Sequence, residues 1–269
     1  MTQLFQVGGR KTILGMIHLE PLPGTPFAAD GSLSRILDRA VRSATALRDG
    51  GADGCLVQTV DRVYSVEDDA DPARVAAMTR IVRAVVEGTG GDGFQVGVQL
   101  MRNAVRASLA VAKVTEAGFV RASTLVGATL TAQGLVQANP LDVMEYRQKI
   151  SARDVCIVSD ADSMHFNWLG GDRPTGHVAK DAQQAGADAI CVSHPEERHV
   201  LDMVASAREW APRIPVLLAG NTTHDNAARL LAAADGAFVG TCLERGGWGG
   251  PVDVDRVKSY VEIVRGLER

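Results

Sequence analysis

The chain has 269 residues, 46% hydrophobic and 22% charged, enough apolar material for one large buried core. Its net charge is −4 with Arg and Lys scattered, so no basic stripe exists to neutralise a run of phosphates, and a nucleic-acid polymer is excluded as partner. No apolar run approaches the ~20 residues that span a bilayer, and the start of the chain lacks a signal-peptide pattern, which points to a cytoplasmic protein without a membrane span.

Short runs rich in Val, Ile and Leu alternate with stretches of helical period. The runs predict strands over Thr12–Leu19, Gly54–Val60, Phe94–Leu100, Phe119–Thr124, Asp154–Asp160, Ala189–His194, Pro215–Gly220 and Gly236–Thr241. Several are almost continuously apolar, as parallel strands covered on both faces must be. The first intervening helix carries Leu33, Ile36, Leu37, Ala40, Ala44 and Leu47 on one stripe and ends at Gly50–Gly51. Asp71–Pro72 and Asn139–Pro140 each place a capping side chain before proline, and Asp253 caps the last helix. The segments Gly51–Gly54, Gly186–Ala189 and Ala234–Gly236 share turn chemistry where a helix joins the next strand. Eight strands alternating with helices predict a (β/α)8 barrel, a TIM barrel, as a single domain over 1–269.

The helix-to-strand turns are short, whereas His18–Ser32, Asp61–Asp71, Leu125–Asn139, Asp160–Arg173 and Thr241–Asp253 are long. Long loops in compact domains are usually functional, and barrels place their chemistry at the strand C-terminal ends. The seventh and eighth strands end in Gly220–Asn221 and Gly240–Thr241, where glycine lets an anion approach the backbone. These four residues are the expected phosphate site.

Glu20, Asp160 and His194 leave or end strands and are the candidate catalytic acids and bases. Asp160, Asp162, His194 and His18 together offer donors for a divalent metal, although their spacing specifies no geometry, and no residue is assigned as a ligand. No organic cofactor is expected. Arg102 and Asn103 end strand three and Arg121 lies within strand four; a buried arginine needs an anion from ligand or protein, and Glu20 or Asp160 would serve for the latter. His18 joins these three as a substrate-binding candidate. Tyr64, Phe166, Trp168 and Trp248 ride on the long loops; Trp168 could cover a flat ring, and Trp248 could seal a loop or join copies in a homo-oligomer. The five lysines, Lys11, Lys113, Lys149, Lys180 and Lys258, end no strand, which argues against a Schiff-base aldolase. The cysteines Cys55, Cys156, Cys191 and Cys242 form no C-x-x-C pair, against a zinc or disulfide framework.

The chain carries Gly15–Gly24 (G-M-I-H-L-E-P-L-P-G), Gly97–Asn103, Gln133–Gly134 and Ala234–Thr241 followed by Pro251–Asp253. On these segments it resembles the BtpA/SgcQ family of the phosphate-binding TIM barrels. Family members usually carry Glu-Asn after strand two, where this chain has Gln58–Thr59, and Thr-Asp-Gln-Gly in the fourth loop, where it has Thr131–Gly134 with Ala132. The resemblance implies a phosphate-binding barrel acting on a small phosphorylated ligand such as a sugar phosphate or nucleotide. Cleavage or transfer at a glycosidic or C–C bond is the expected reaction. The alternative is a non-catalytic assembly factor of the photosystem I biogenesis type.

Overall fold

The computed structural model describes residues 4–90, 93–171 and 173–268. Eight strands close into a parallel barrel: β1 (Thr12–Leu19), β2 (Gly54–Thr59), β3 (Gln95–Gln99), β4 (Phe119–Ala122), β7 (Cys156–Ser163), β9 (Ala189–Ser193), β10 (Val216–Ala219) and β11 (Gly236–Val239), which returns to β1. The helices are α1 (Leu33–Asp49), α2 (Pro72–Thr89), α3 (Val105–Thr115), α4 (Pro140–Lys149), α5 (Thr175–Gln184), α6 (Glu197–Trp210), α7 (Ala227–Ala233) and α8 (Val254–Arg265). Each follows a barrel strand, so the expected eightfold alternation holds. No helix among the described residues is long and apolar enough to cross a membrane.

Alternation along each strand sorts side chains into two cores. One alternate set packs outward against the helices, as Ile13, Ile17, Val57, Val98, Val120 and Ile157 do. The other fills the barrel: Leu14, Met16, Leu56, Phe119, Val158, Ala189, Cys191, Leu217 and Phe238 form one buried cluster. Phe5, 1% exposed, joins it and meets Phe119 edge-on at 5.8 Å, closing the interior at the strand N-terminal end. Gly97 makes room for this packing, since a Cβ there would stand 2.1 Å from the Phe119 ring. The shared helix-to-strand turns have a common physical basis. Asp53, Asp188 and Asp235 each donate a backbone N–H to a neighbouring strand carbonyl, of Ile13, Ile157 and Val216 respectively. Each carboxylate then accepts the N–H of that same residue and pairs with an arginine, Arg265, Arg147 or Arg208.

Two long loops hold regular structure that the sequence reading left as loop. Within Leu125–Asn139, β5 (Ala128–Thr131) and β6 (Gly134–Gln137) pair as an antiparallel hairpin. Within Asp160–Arg173, the short β8 (Asn167–Trp168) adds to the other edge of β5; Asp172 of that loop lies outside the described residues. Strand β7 also starts later and runs further than its apolar run predicts, from Cys156 through Ser163.

Candidate active site at the strand C-terminal ends

Continuing the inward-facing set one step beyond the apolar core brings polar side chains to the C-terminal end of the barrel. His18, Gln58, Gln99, Arg121 and Asp160 stand two residues beyond Met16, Leu56, Gly97, Phe119 and Val158, and all five line one cavity of ≈ 740 Å³. That volume falls within the usual range for small-ligand sites. Arg121 binds Asp160 through two hydrogen bonds of 2.8 and 3.1 Å, and its guanidinium lies 5.2 Å from the Phe238 ring centre. Cys191 donates its thiol proton to the same carboxylate at 2.7 Å. Burial works against the Arg121 charge, but Asp160 and then Cys191 outweigh it and hold the proton more firmly than on a free arginine. Burial, reinforced by Asp160, pushes the Cys191 thiol well above its usual range. Asp160 is thus the partner that a buried Arg121 requires.

Arg102 lines the same cavity under different terms. Among the described residues it makes no ion pair, its Nε is buried without a partner, and its guanidinium lies 5.6 Å from the Tyr64 ring centre. Burial lowers its pKa, with Asp160 and Tyr64 offsetting part of the effect. Tyr64 is itself fixed, its hydroxyl accepting the Asp61 N–H at 2.8 Å.

Across the cavity, Gly220 and Asn221 have φ of +98° and +57°, and a Cβ on Gly220 would meet nothing within 4 Å. The chain therefore presents bare backbone there. Gly240 serves similarly, since a Cβ would lie 3.3 Å from His18 Cε1. Gly220, Asn221, Gly240 and Thr241 all line the cavity, joined by Thr222 and Thr223. His18 packs beneath Trp248 at 5.5 Å between ring centres, and its Nδ1 lies 3.6 Å from Oε1 of the buried Glu244.

Other sequence candidates stand apart from this cavity. The Glu20 carboxylate is held outside it by Arg35 at 2.5 and 2.8 Å and by Arg39 at 3.4 Å, and the Arg35 hydrogen bonds hold its pKa below the usual range. His194 sits on the rim with Nδ1 accepting the Glu196 N–H at 3.0 Å. Asn103 is a structural clasp, its amide donating to the Thr124 carbonyl and accepting the Thr124 N–H, both at 2.9 Å. Trp168 belongs to the small sheet, packed on Phe166 and covered by Arg173. The candidate metal donors are not assembled either, since Asp160 is taken by Arg121, and Asp162 accepts from Thr175 at 3.0 Å. Among the described residues, His194, Glu196 and His199 are the ones whose ligating atoms lie mutually within 4.8 Å, and they stand outside the cavity.

Sequence reasoning noted Gln58 only as a departure from the family pattern, and passed over Gln99, Ser123 and His165, which line the cavity, and Glu244, which lies against His18. The two glutamines were findable, because each continues the inward alternation of its strand. His165 and Glu244 sit on loops where no periodicity applies. Burial, and then Arg102 and Arg121, lower the pKa of His165.

A parallel eight-stranded barrel with a polar cavity at the strand C-terminal ends defines the TIM-barrel class. This chain belongs to the BtpA family, whose model matches residues 9–266. The Photosystem I biogenesis protein BtpA of Synechocystis is 32% identical, the match covering 97% of this chain and 90% of that protein. An uncharacterised protein of Archaeoglobus fulgidus is 31% identical over 95% of this chain and 99% of its own. Among solved structures, thiamine phosphate pyrophosphorylase from Pyrococcus furiosus superposes with a TM-score of 0.58 at 15% identity, covering 96% of this chain and 98% of that one. Tryptophan synthase from Mycobacterium tuberculosis reaches 0.60 at 14% identity, covering 97% and 94%. Both likenesses concern the fold.

Proposed function

We propose that this protein is a cytoplasmic enzyme acting on a small phosphorylated metabolite, a sugar phosphate or nucleotide, cleaving or transferring at a glycosidic or C–C bond. One observation carries the reading: the cavity contains a half-buried guanidinium, Arg102, with no carboxylate against it among the described residues, which calls for an anion from the ligand. The glycine-lined strand ends at Gly220 and Gly240 supply the backbone approach a phosphate needs. Acid–base work then falls to His18, whose Nδ1 faces Glu244. Asp160 contributes through its field, because Arg121 and Cys191 already occupy its oxygens. No lysine lines the cavity, in keeping with chemistry that forms no Schiff base. Calorimetry and thermal denaturation with inorganic phosphate, ribose 5-phosphate and AMP test the reading. Binding with a raised Tm is expected, and a protein indifferent to every phosphorylated compound would refute it.

A second reading, non-catalytic assembly, is favoured by the engagement of Asp160 and Glu20 with arginines. One relative is named for photosystem I biogenesis. A phosphorylated ligand bound without any turnover would support it over the enzyme.

A further inference from the structure

A chain of hydrogen bonds that can run in only one direction and a histidine–carboxylate pair both end at the cavity. The Arg102 carbonyl only accepts, so the Ser123 hydroxyl donates to it at 3.0 Å. That uses the single hydroxyl proton, and Ser123 Oγ must accept from Gln99 Nε2 at 3.2 Å. The Gln99 amide is thereby oriented, and its Oε1 accepts from Gln58 Nε2 at 2.6 Å. Gln58 Nε2 also points at Met101 Sδ, 3.5 Å away. Gln58 is left with Oε1 as an acceptor that no group among the described residues serves.

One strand over, His18 pairs with Gln58 in the β1–β2 register. Its Nδ1 is shut off from solvent and faces Glu244 Oε1, while Glu244 Oε2 is anchored by the Gly249 N–H at 2.8 Å. The carboxylate oxygen 3.6 Å away favours an N–H over a lone pair on the side that faces it, so the neutral form of His18 places its proton on Nδ1 and its lone pair on Nε2. Beside Gly240, the β1–β2 edge of the cavity thus offers two neighbouring acceptors, one from His18 and one from Gln58.

We propose that the ligand turns a vicinal diol toward Gln58 Oε1 and His18 Nε2, so that the substrate is a phosphorylated polyol or sugar with two adjacent free hydroxyls. The inference rests on the phosphate reading above and narrows it. Neighbouring strands lie roughly 4.8 Å apart, a spacing that protons on adjacent hydroxyls reach by splaying. A carbonyl or carboxylate there would set acceptor against acceptor. Loss of one hydroxyl strands an acceptor and weakens binding about tenfold.

The test is calorimetry with two matched pairs, ribose 5-phosphate against 2-deoxyribose 5-phosphate and AMP against dAMP, with inorganic phosphate as reference. The ribo member should bind at least about tenfold more tightly in each pair. Gln58→Leu should erase most of that preference while inorganic phosphate binds as before. A ¹⁵N spectrum of neutral His18 should show the proton on Nδ1. Equal affinity within both pairs, with phosphate still bound, would overturn the diol and leave the phosphate reading standing. A proton on Nε2 would overturn it too. Silence from every probe, inorganic phosphate included, would remove both readings together.

Discussion

Arg121 is pinned to Asp160 by two hydrogen bonds, whereas Arg102 lines the same cavity with no carboxylate against it among the described residues. Their substitutions should therefore act on different observables. Arg121→Met strands a buried carboxylate and should cost about 3–5 kcal/mol in urea denaturation, because breaking one side of a buried pair leaves the other uncompensated. Arg102→Leu removes a desolvated charge without orphaning a partner; Tm should stay level or rise while phosphate binding weakens more than about tenfold. A stability loss in the Arg102 variant equal to that in the Arg121 variant would contradict this division. At this scale the sequence showed which residue types stood near strand ends but not which way they pointed. Arg121 was legible from alternation and its need for an anion. Glu20 was not, because Arg35, fifteen residues later, draws the carboxylate away. Glu244 was invisible because its role depends on a contact with His18 across the whole sequence.

Strands and helices were easier to read, since each is set by periodicity within a few residues. β1 matches its apolar run residue for residue, Thr12–Leu19. The β5–β6 hairpin escaped notice because its strands are short and half exposed, with Leu130 opposite Leu135 on the solvent side, so no apolar run announced them. The aspartate turns show how local chemistry enforces the barrel. Asp235, 2% exposed, accepts N–H groups from Val216 and Gly8 and pairs with Arg208 at 2.5 Å. Asp235→Ala should destabilise the protein by about 3 kcal/mol in urea denaturation, because the buried Val216 N–H and the Arg208 guanidinium lose their acceptor together. At the start of α8, Asp253 accepts the N–H groups of Asp255 and Arg256. The Arg245 hydrogen bond, followed by the Arg256 N–H, holds its carboxyl below the usual range. With the folded value below the unfolded one, this stabilisation is present above the ordinary carboxylate range, about pH 4, and disappears as pH falls through the folded value. Asp253→Asn still caps the helix but cannot titrate. Its urea midpoint should therefore fall less than that of the parent protein on acidification, and a larger fall would contradict the assignment.

Closure of the barrel divides the molecule into an end that sustains the fold and an end that is open for chemistry. Phe5 belongs to the first, buried against Phe119 far from Gly220 and Arg102 along the strands. Phe5→Ala should cost about 3–5 kcal/mol of stability while leaving the affinity for phosphorylated ligands unchanged; a matching loss of affinity would show that the two ends are coupled. The architecture was legible because eight apolar runs and three recurring turns repeat one unit, and repetition survives errors of a residue or two at any boundary. With Phe5 stoppering the far end, the interior is a cul-de-sac. Whatever enters past Trp248 has no through-route and must leave by the same doorway. Under the enzymatic reading proposed above, a spent molecule lingering inside would bar the next arrival, so inhibition by end product should be competitive.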